Sequence, residues 1–307
     1  MFKSSVKIEE LSEGNIFRVG VKAQSAELIE KFYEEMPFPN FDRFETIDDI
    51  HAKVRENKFT LSFKKSVGWG KKIIEVGSGT SQLSIALASG TNNEVVAFDA
   101  TLGSLRLGAV FAKKHEIDNC IFINGDLNSD PFVSGYFDVV WCSGVLHHTD
   151  CAEKGFKVIQ EWVRPGGYIV IGLYNSYGRA RTLFRQLLYK FLGKSKFGGA
   201  LVRLLDPVLR QCKSRLKNEA WFRDQYEHPC ESLHTIDEVL QWFDLAGFEF
   251  VGSLPTCDLK PYDYENMFTK KNRENGFTRF LSQIFMLFSH SGSEGGLFLM
   301  LGKKKPR

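Results

Sequence analysis

The chain has 307 residues, 43% hydrophobic and 25% charged, with a formal net charge of +3. That is ordinary globular composition, long enough for one large domain with an insertion or for two small domains. The charge bias is too weak to argue a nucleic-acid partner from the total. No apolar run approaches the ~20 residues that span a bilayer. The first ten residues hold no apolar signal segment, and the six scattered cysteines include no CxxC pair, so a reduced, soluble, cytoplasmic protein is expected.

Residues 1–70 are mixed and polar. A short helix is predicted over 25–36, stopped by Pro37-Phe38-Pro39, and a second over 46–58. No strand signal is strong there, so the segment reads as an N-terminal helical cap. From Lys71 the texture changes. Strands are predicted over 73–76, 94–98, 121–123, 137–142 and 168–173, with helices over 81–88, 104–115 and 152–163 between them. Alternation at this spacing implies βαβ units and a parallel sheet covered on both faces, an α/β fold. Residues 174–234 interrupt it with long amphipathic stretches over 182–192 and 200–216. A capping-box signature at Thr235-Ile236-Asp237-Glu238 opens a helix that Gly247 stops. A sixth strand over 248–254 and a seventh over 296–301 follow.

Open parallel sheets bind ligands at the carboxyl ends of their strands. Each predicted strand end here carries a glycine or a polar residue. After the first come Gly77, Ser78 and Gly79, where the backbone can turn sharply and approach a ligand. Glu75, at the end of that strand, suits a cationic group. Asp99 ends the second strand, about twenty residues on, where a carboxylate can accept from ribose hydroxyls. Asp126 follows the third and can accept from an adenine amino group; it reads equally as a turn former. A dinucleotide needs a third glycine in this turn, and Ser81-Gln82 supply none.

These segments carry a resemblance. Ile73 to Thr80 resembles the first motif of class I S-adenosylmethionine-dependent methyltransferases, and Val95 to Asp99 the second. Asn124-Gly125-Asp126-Leu127 resembles the adenine-contacting segment, Phe137 to His148 the fourth-strand motif, and Arg164-Pro165-Gly166-Gly167-Tyr168 the turn before the fifth strand. The resemblance implies a Rossmann-like sheet of seven strands, the last antiparallel. It implies S-adenosylmethionine as cofactor, bound by Glu75, Gly77, Ser78, Gly79, Asp99, Asp126, Leu127, Ser143 and Gly144. Ser81 departs from the family, which has glycine at that place. No metal site is expected.

His147 and His148 follow the fourth strand. Histidine titrates near neutral pH and can deprotonate an acceptor hydroxyl, amine or acidic carbon. The alternative is that one caps the loop and the other packs. Between Tyr174 and Ala220 stand eleven Lys/Arg and two acids. This basic stretch reads as a solvated helical lid, as a lid for an acidic or phosphate-bearing acceptor, or as a contact with an anionic membrane surface or RNA. No RNA module is visible, which disfavours nucleic acid. Phe32 to Pro39, Leu173 to Arg179 and Trp221 to Pro229 resemble segments of bacterial methyltransferase-domain proteins with such a lid. That resemblance puts Phe38, Tyr174, Arg179, Asp224, Tyr226 and His228 around the acceptor.

Four parts are expected: a cap over 1–70, a cofactor-binding core over 71–173, a basic lid over 174–234, and a completion of the sheet over 235–307. The function expected is methyl transfer to an oxygen, nitrogen or carbon of a small molecule. The rivals are methyl transfer to RNA or membrane lipid, and cofactor binding without catalysis. The sequence sets no oligomeric state.

Overall fold

The computed structural model describes residues 1–11, 15–20, 46–192, 195–289 and 295–306. The helix expected over 25–36, the proline stop and Phe38 lie outside the described residues.

A nine-stranded sheet runs in the order β1-β2-β5-β4-β3-β6-β7-β9-β8. Its parallel centre is β3 (Lys72–Val76), β4 (Glu94–Asp99), β5 (Cys120–Asn124), β6 (Phe137–Ser143) and β7 (Val163–Tyr174). β9 (Leu297–Lys304) lies antiparallel between β7 and β8 (Phe248–Leu254). These seven are the expected strands, with the last one reversed as expected. The count of seven is corrected to nine. β1 (Ile8–Leu11) and β2 (Ile16–Val19) form an antiparallel pair, and β2 runs parallel to β5 at the edge. β1 is largely exposed and β2 buries only Ile16 and Val19. Strands of four residues are too short to show a clear alternation.

Successive residues of a strand face opposite sides of a sheet. In β3, Ile74 and Val76 join a core with Phe98, Phe132, Phe156, Trp162 and Phe243. Ile73 joins the opposite core with Phe63, Val95, Leu105 and Trp141. The first core is covered by α5 (Ala152–Trp162) and α10 (Ile236–Leu245). The second is covered by α1 (Ile47–Glu56), α2 (Lys58–Val67), α3 (Gln82–Ala88) and α4 (Leu102–Lys114). The helix expected over 46–58 is α1, and α2, which was not expected, follows it at once. Asn57 ends α1, and its side chain caps α2 by accepting from the Thr60 amide at 3.0 Å. Such caps fix a helix start by satisfying an orphan amide.

The amphipathic stretch over 200–216 spans parts of three helices. α6 (Ala180–Phe191) and α7 (Lys196–Leu205) are followed by a single turn, α8 (Pro207–Gln211), and by α9 (Arg215–Tyr226). Asp206 caps Pro207 at the first position of α8, and Ser214 caps α9. Proline is pre-set for the first turn and cannot continue a preceding helix. α11 (Gly276–Phe285) precedes β9. Among the described residues, no helix is long and apolar enough to cross a membrane.

Candidate active site

Strand order reverses between β3 and β6, and a crevice opens there at the carboxyl ends of the strands. The glycine turn closes onto β4: the Gly77 and Ser78 amides both donate to the Phe98 carbonyl, at 2.8 and 3.2 Å. Gly77 has φ +69°, and a Cβ there would sit 2.1 Å from Val145 Cγ2. Only glycine fits. Ser81 precedes α3 with φ 63° and makes no side-chain cap bond to the helix. Glu75 takes that role from the strand. Its Oε2 accepts from the Ser84 amide at 2.8 Å and the Ser84 hydroxyl at 2.5 Å. A carboxylate at a helix N-terminus is favoured by the dipole. Burial nevertheless pushes the Glu75 carboxyl up to about 8; the Ser84 bonds oppose this and the Asp99 charge adds to it.

At the end of β4, Asp99 is oriented by the backbone. Oδ2 accepts from the Gly79 amide and Oδ1 from the Thr101 amide, both at 2.7 Å. After β5, Asp126 Oδ1 accepts from the Asn128 amide at 2.9 Å, which starts a turn over Leu127–Ser129. The turn-forming reading of Asp126 therefore holds, and the residue also lines the cavity. After β6, Gly144 has φ +80°, and its amide donates to Gly172 at 3.0 Å.

One cavity of about 460 Å³ joins these ends. That lies inside the range of about 300–1,000 Å³ usual for small-molecule sites. It runs from Glu75–Gly79 past Asp99 and Asp126–Asn128 to Ser143–Val145. It then continues between His148, Thr149 and Tyr174 on the core side and Trp221, Asp224 and Gln225 of α9 on the lid side. Residues three and four apart share a helix face. α9 thus turns Trp221, Asp224 and Gln225 to the cavity, while Phe222 and Tyr226 pack with Tyr189, Val202 and Leu209 inside the lid. Among the described residues, the lining holds four acidic side chains (Glu75, Asp99, Asp126 and Asp224) and no lysine or arginine. This set fits S-adenosylmethionine. Its hydroxyls, amino groups and cationic centres need acceptors, and it carries no phosphate.

His148 has its Nδ1 2.8 Å from the Cys230 carbonyl. A carbonyl only accepts, so Nδ1 carries the proton and the neutral ring presents Nε2 as an acceptor. Burial lowers the His148 pKa, against the raising effects of Asp224 and the Cys230 carbonyl.

A family model described as a methyltransferase domain matches residues 69–247. The chain belongs to the class I S-adenosylmethionine-dependent methyltransferases. A demethylmenaquinone methyltransferase of Geobacillus sp. (strain WCH70) is 26% identical over 219 residues, 70% of this chain and 86% of its own length. An uncharacterized protein of Synechococcus sp. is 26% identical over 200 residues, 59% of this chain; the match spans 48% of that relative's length. Geranyl diphosphate C-methyltransferase from Streptomyces coelicolor A3(2) was solved with Mg2+, geranyl diphosphate and S-adenosyl-L-homocysteine. It shares the fold at a TM-score of 0.51 and 12% identity, over 93% of this chain and 100% of that one. The protein is an S-adenosylmethionine-dependent enzyme.

In this methyltransferase the nine residues expected at the cofactor all line the cavity, as do His148, Tyr174 and Asp224. His147 does not. Its ring is fully buried, 3.9 Å from the Tyr174 ring and 4.2 Å from that of His148, and neither nitrogen has a hydrogen-bond partner among the described residues. Burial, then the His148 and Arg179 charges, hold its pKa well below the ordinary range. Arg179 stands behind the wall. Its guanidinium lies 3.4 Å over the Tyr174 ring, pairs with Glu231 through both Nε and Nη2, and donates from Nη1 to Gln225 at 2.9 Å and Gly295 at 2.7 Å. Tyr226 is also outside the cavity: its hydroxyl donates to Asp206 at 2.6 Å and accepts from Arg185 at 2.8 Å. His228 stacks 3.7 Å from His148 without reaching the cavity lining. Arg185, one of the lid's cations, is buried and not at the surface. Trp221, Gln225 and Leu297 line the cavity and were not expected there. The spacing 221, 224, 225 was the available signal for the first two.

Proposed function

We propose that this methyltransferase transfers a methyl group to an oxygen, nitrogen or carbon of a neutral or cationic small molecule seated beneath α9. The carrying observation is that one cavity continues from the glycine turn to His148, Tyr174, Trp221 and Asp224, with no lysine or arginine among the described residues of its wall. An acidic acceptor would find no counter-charge there.

In this reading Asp99 takes the ribose hydroxyls, Asp126 the adenine amino group and Glu75 the ammonium of the amino-acid end. Bound S-adenosylmethionine supplies an activated methyl group, so alignment and exclusion of water account for most of the acceleration. His148 accepts the acceptor's proton on Nε2, a contribution of about 10²–10⁴ in rate. Trp221 offers an apolar ring to an aromatic or apolar acceptor, while Tyr174, whose faces are taken by Arg179 and His147, bounds the cavity by its edge. A relative named demethylmenaquinone methyltransferase agrees with an aromatic acceptor of that kind.

The test has two readouts. Calorimetry should detect S-adenosylmethionine binding, and Trp221→Ala should leave that affinity unchanged. S-adenosylhomocysteine should form from a metabolite pool, with KM for the acceptor raised in Trp221→Ala. Turnover only with RNA would overturn the small-molecule reading. Binding without turnover on metabolites, lipids or RNA would favour a non-catalytic protein.

A further inference from the structure

The helix α6 has two faces. Thr182, Arg185 and Tyr189 are buried against the lid, while Phe184, Leu187 and Phe191 are exposed, Phe191 to 88%. At 100° per residue the two sets lie on opposite sides. Exposed Arg181 and Lys190 flank the apolar stripe, one on each side. α7 repeats the pattern, with Phe197 and Leu204 exposed and Gly198 and Val202 buried. A surface helix ordinarily turns such residues inward. From Ala180 to Leu205 there are six Lys/Arg and no Asp or Glu.

We propose that this outer face of the lid docks on an anionic lipid surface, with Phe184, Leu187, Phe191 and Phe197 entering the headgroup boundary and Lys190 and Lys196 meeting lipid phosphates. Charge decides the occupant. A second copy would bring a like-charged face against this one. RNA would use the cations and stack on the rings, but it gives Leu187 and Leu204 nothing apolar to enter. A bilayer surface satisfies both, since basic residues draw the helix to anionic headgroups and aromatic and leucine side chains bury beneath them. The proposal rests on the lid's surface alone and is separate from the acceptor reading.

Flotation of the full chain with phosphatidylcholine vesicles, with and without phosphatidylglycerol, tests it. Binding should be at least about tenfold tighter with the anionic lipid and should weaken with salt. Lys190→Glu and Lys196→Glu should each cost about fivefold or more. Phe191→Ala should cost about tenfold. All three variants should keep the wild-type melting temperature, because the residues are exposed. Four outcomes overturn the proposal: equal binding to neutral vesicles, no vesicle binding, a preference for RNA over vesicles, or a concentration-dependent dimer that Phe191→Ala abolishes.

Discussion

Ser81 and Gly108 occupy complementary positions: the serine's left-handed backbone at φ 63° directs its side chain onto α4, where Gly108 has none. A Cβ at Gly108 would lie 3.0 Å from both Ser81 Cβ and Oγ and 2.8 Å from the Thr80 carbonyl. Gly108→Ala should therefore destabilise the fold by about 1–3 kcal/mol. Ser81→Gly relieves backbone strain of order 1 kcal/mol. In the double variant part of the Gly108→Ala loss should return, because only the Thr80 contact remains. Denaturant unfolding of the four proteins measures this, and strictly additive effects would sink the coupling.

Glu75 governs an alkaline stability limit. Its folded pKa, about 8, lies above the ordinary value of 4.5, so the folded state holds the extra proton between those values. Stability is then fully present below about 4.5 and is lost as pH rises through about 8. Glu75→Gln should flatten that decline in thermal melts while weakening cofactor affinity. A cationic ligand favours the carboxylate, so binding near neutral pH should release a proton. Calorimetry in buffers of different ionisation enthalpy reads that release.

The His148 ring must be neutral to accept a proton, and burial holds its pKa below the ordinary 6.5. The acid limb of kcat/KM should accordingly lie below 6.5. His148→Gln should lower kcat by about 10²-fold or more, with the cofactor Kd little changed. A pH-rate profile of the variant that keeps the wild-type acid limb would exclude His148 as the base.

Arg179 stacks on Tyr174 from behind the cavity wall. It is fully buried, and its partner Glu231 is largely so. Arg179→Met should destabilise the protein by about 3 kcal/mol or more, because it leaves a carboxylate unpaired. Adding Glu231→Gln should recover part of that loss. Arg179→Lys should not rescue fully, since an ammonium cannot make the forked pairing or stack on Tyr174. Urea melts of the three variants decide the matter; an additive double variant would rule out the pair.

The cofactor half of the site was legible because its residues follow directly on strands. Glu75, Gly77, Asp99, Asp126 and Ser143 each end or follow a buried run, so local pattern and topology point to the same edge of the sheet. The acceptor half was less legible. Arg179, Tyr226 and His228 belong to the same dense segments as Tyr174 and Asp224, and only tertiary packing separates wall from support. His147 and His148 are adjacent in sequence, yet one packs behind Tyr174 and the other reaches the cavity. The strands β1 and β2 were not legible because, at four residues each, neither has a buried face long enough to alternate. The breaks at Asp206 and Ser214 fall on cap residues inside an amphipathic stretch, whose periodicity alone marks no stop.

The division of the cavity wall between strand-end loops and α9 has a consequence for retargeting. Every residue assigned to the cofactor lies between Glu75 and Gly144, whereas the facing wall of the cavity at Trp221, Asp224 and Gln225 lies on a lid helix with its own small core. Exchange or redesign of that helix can alter which molecule is methylated and leave the methyl donor's seat intact.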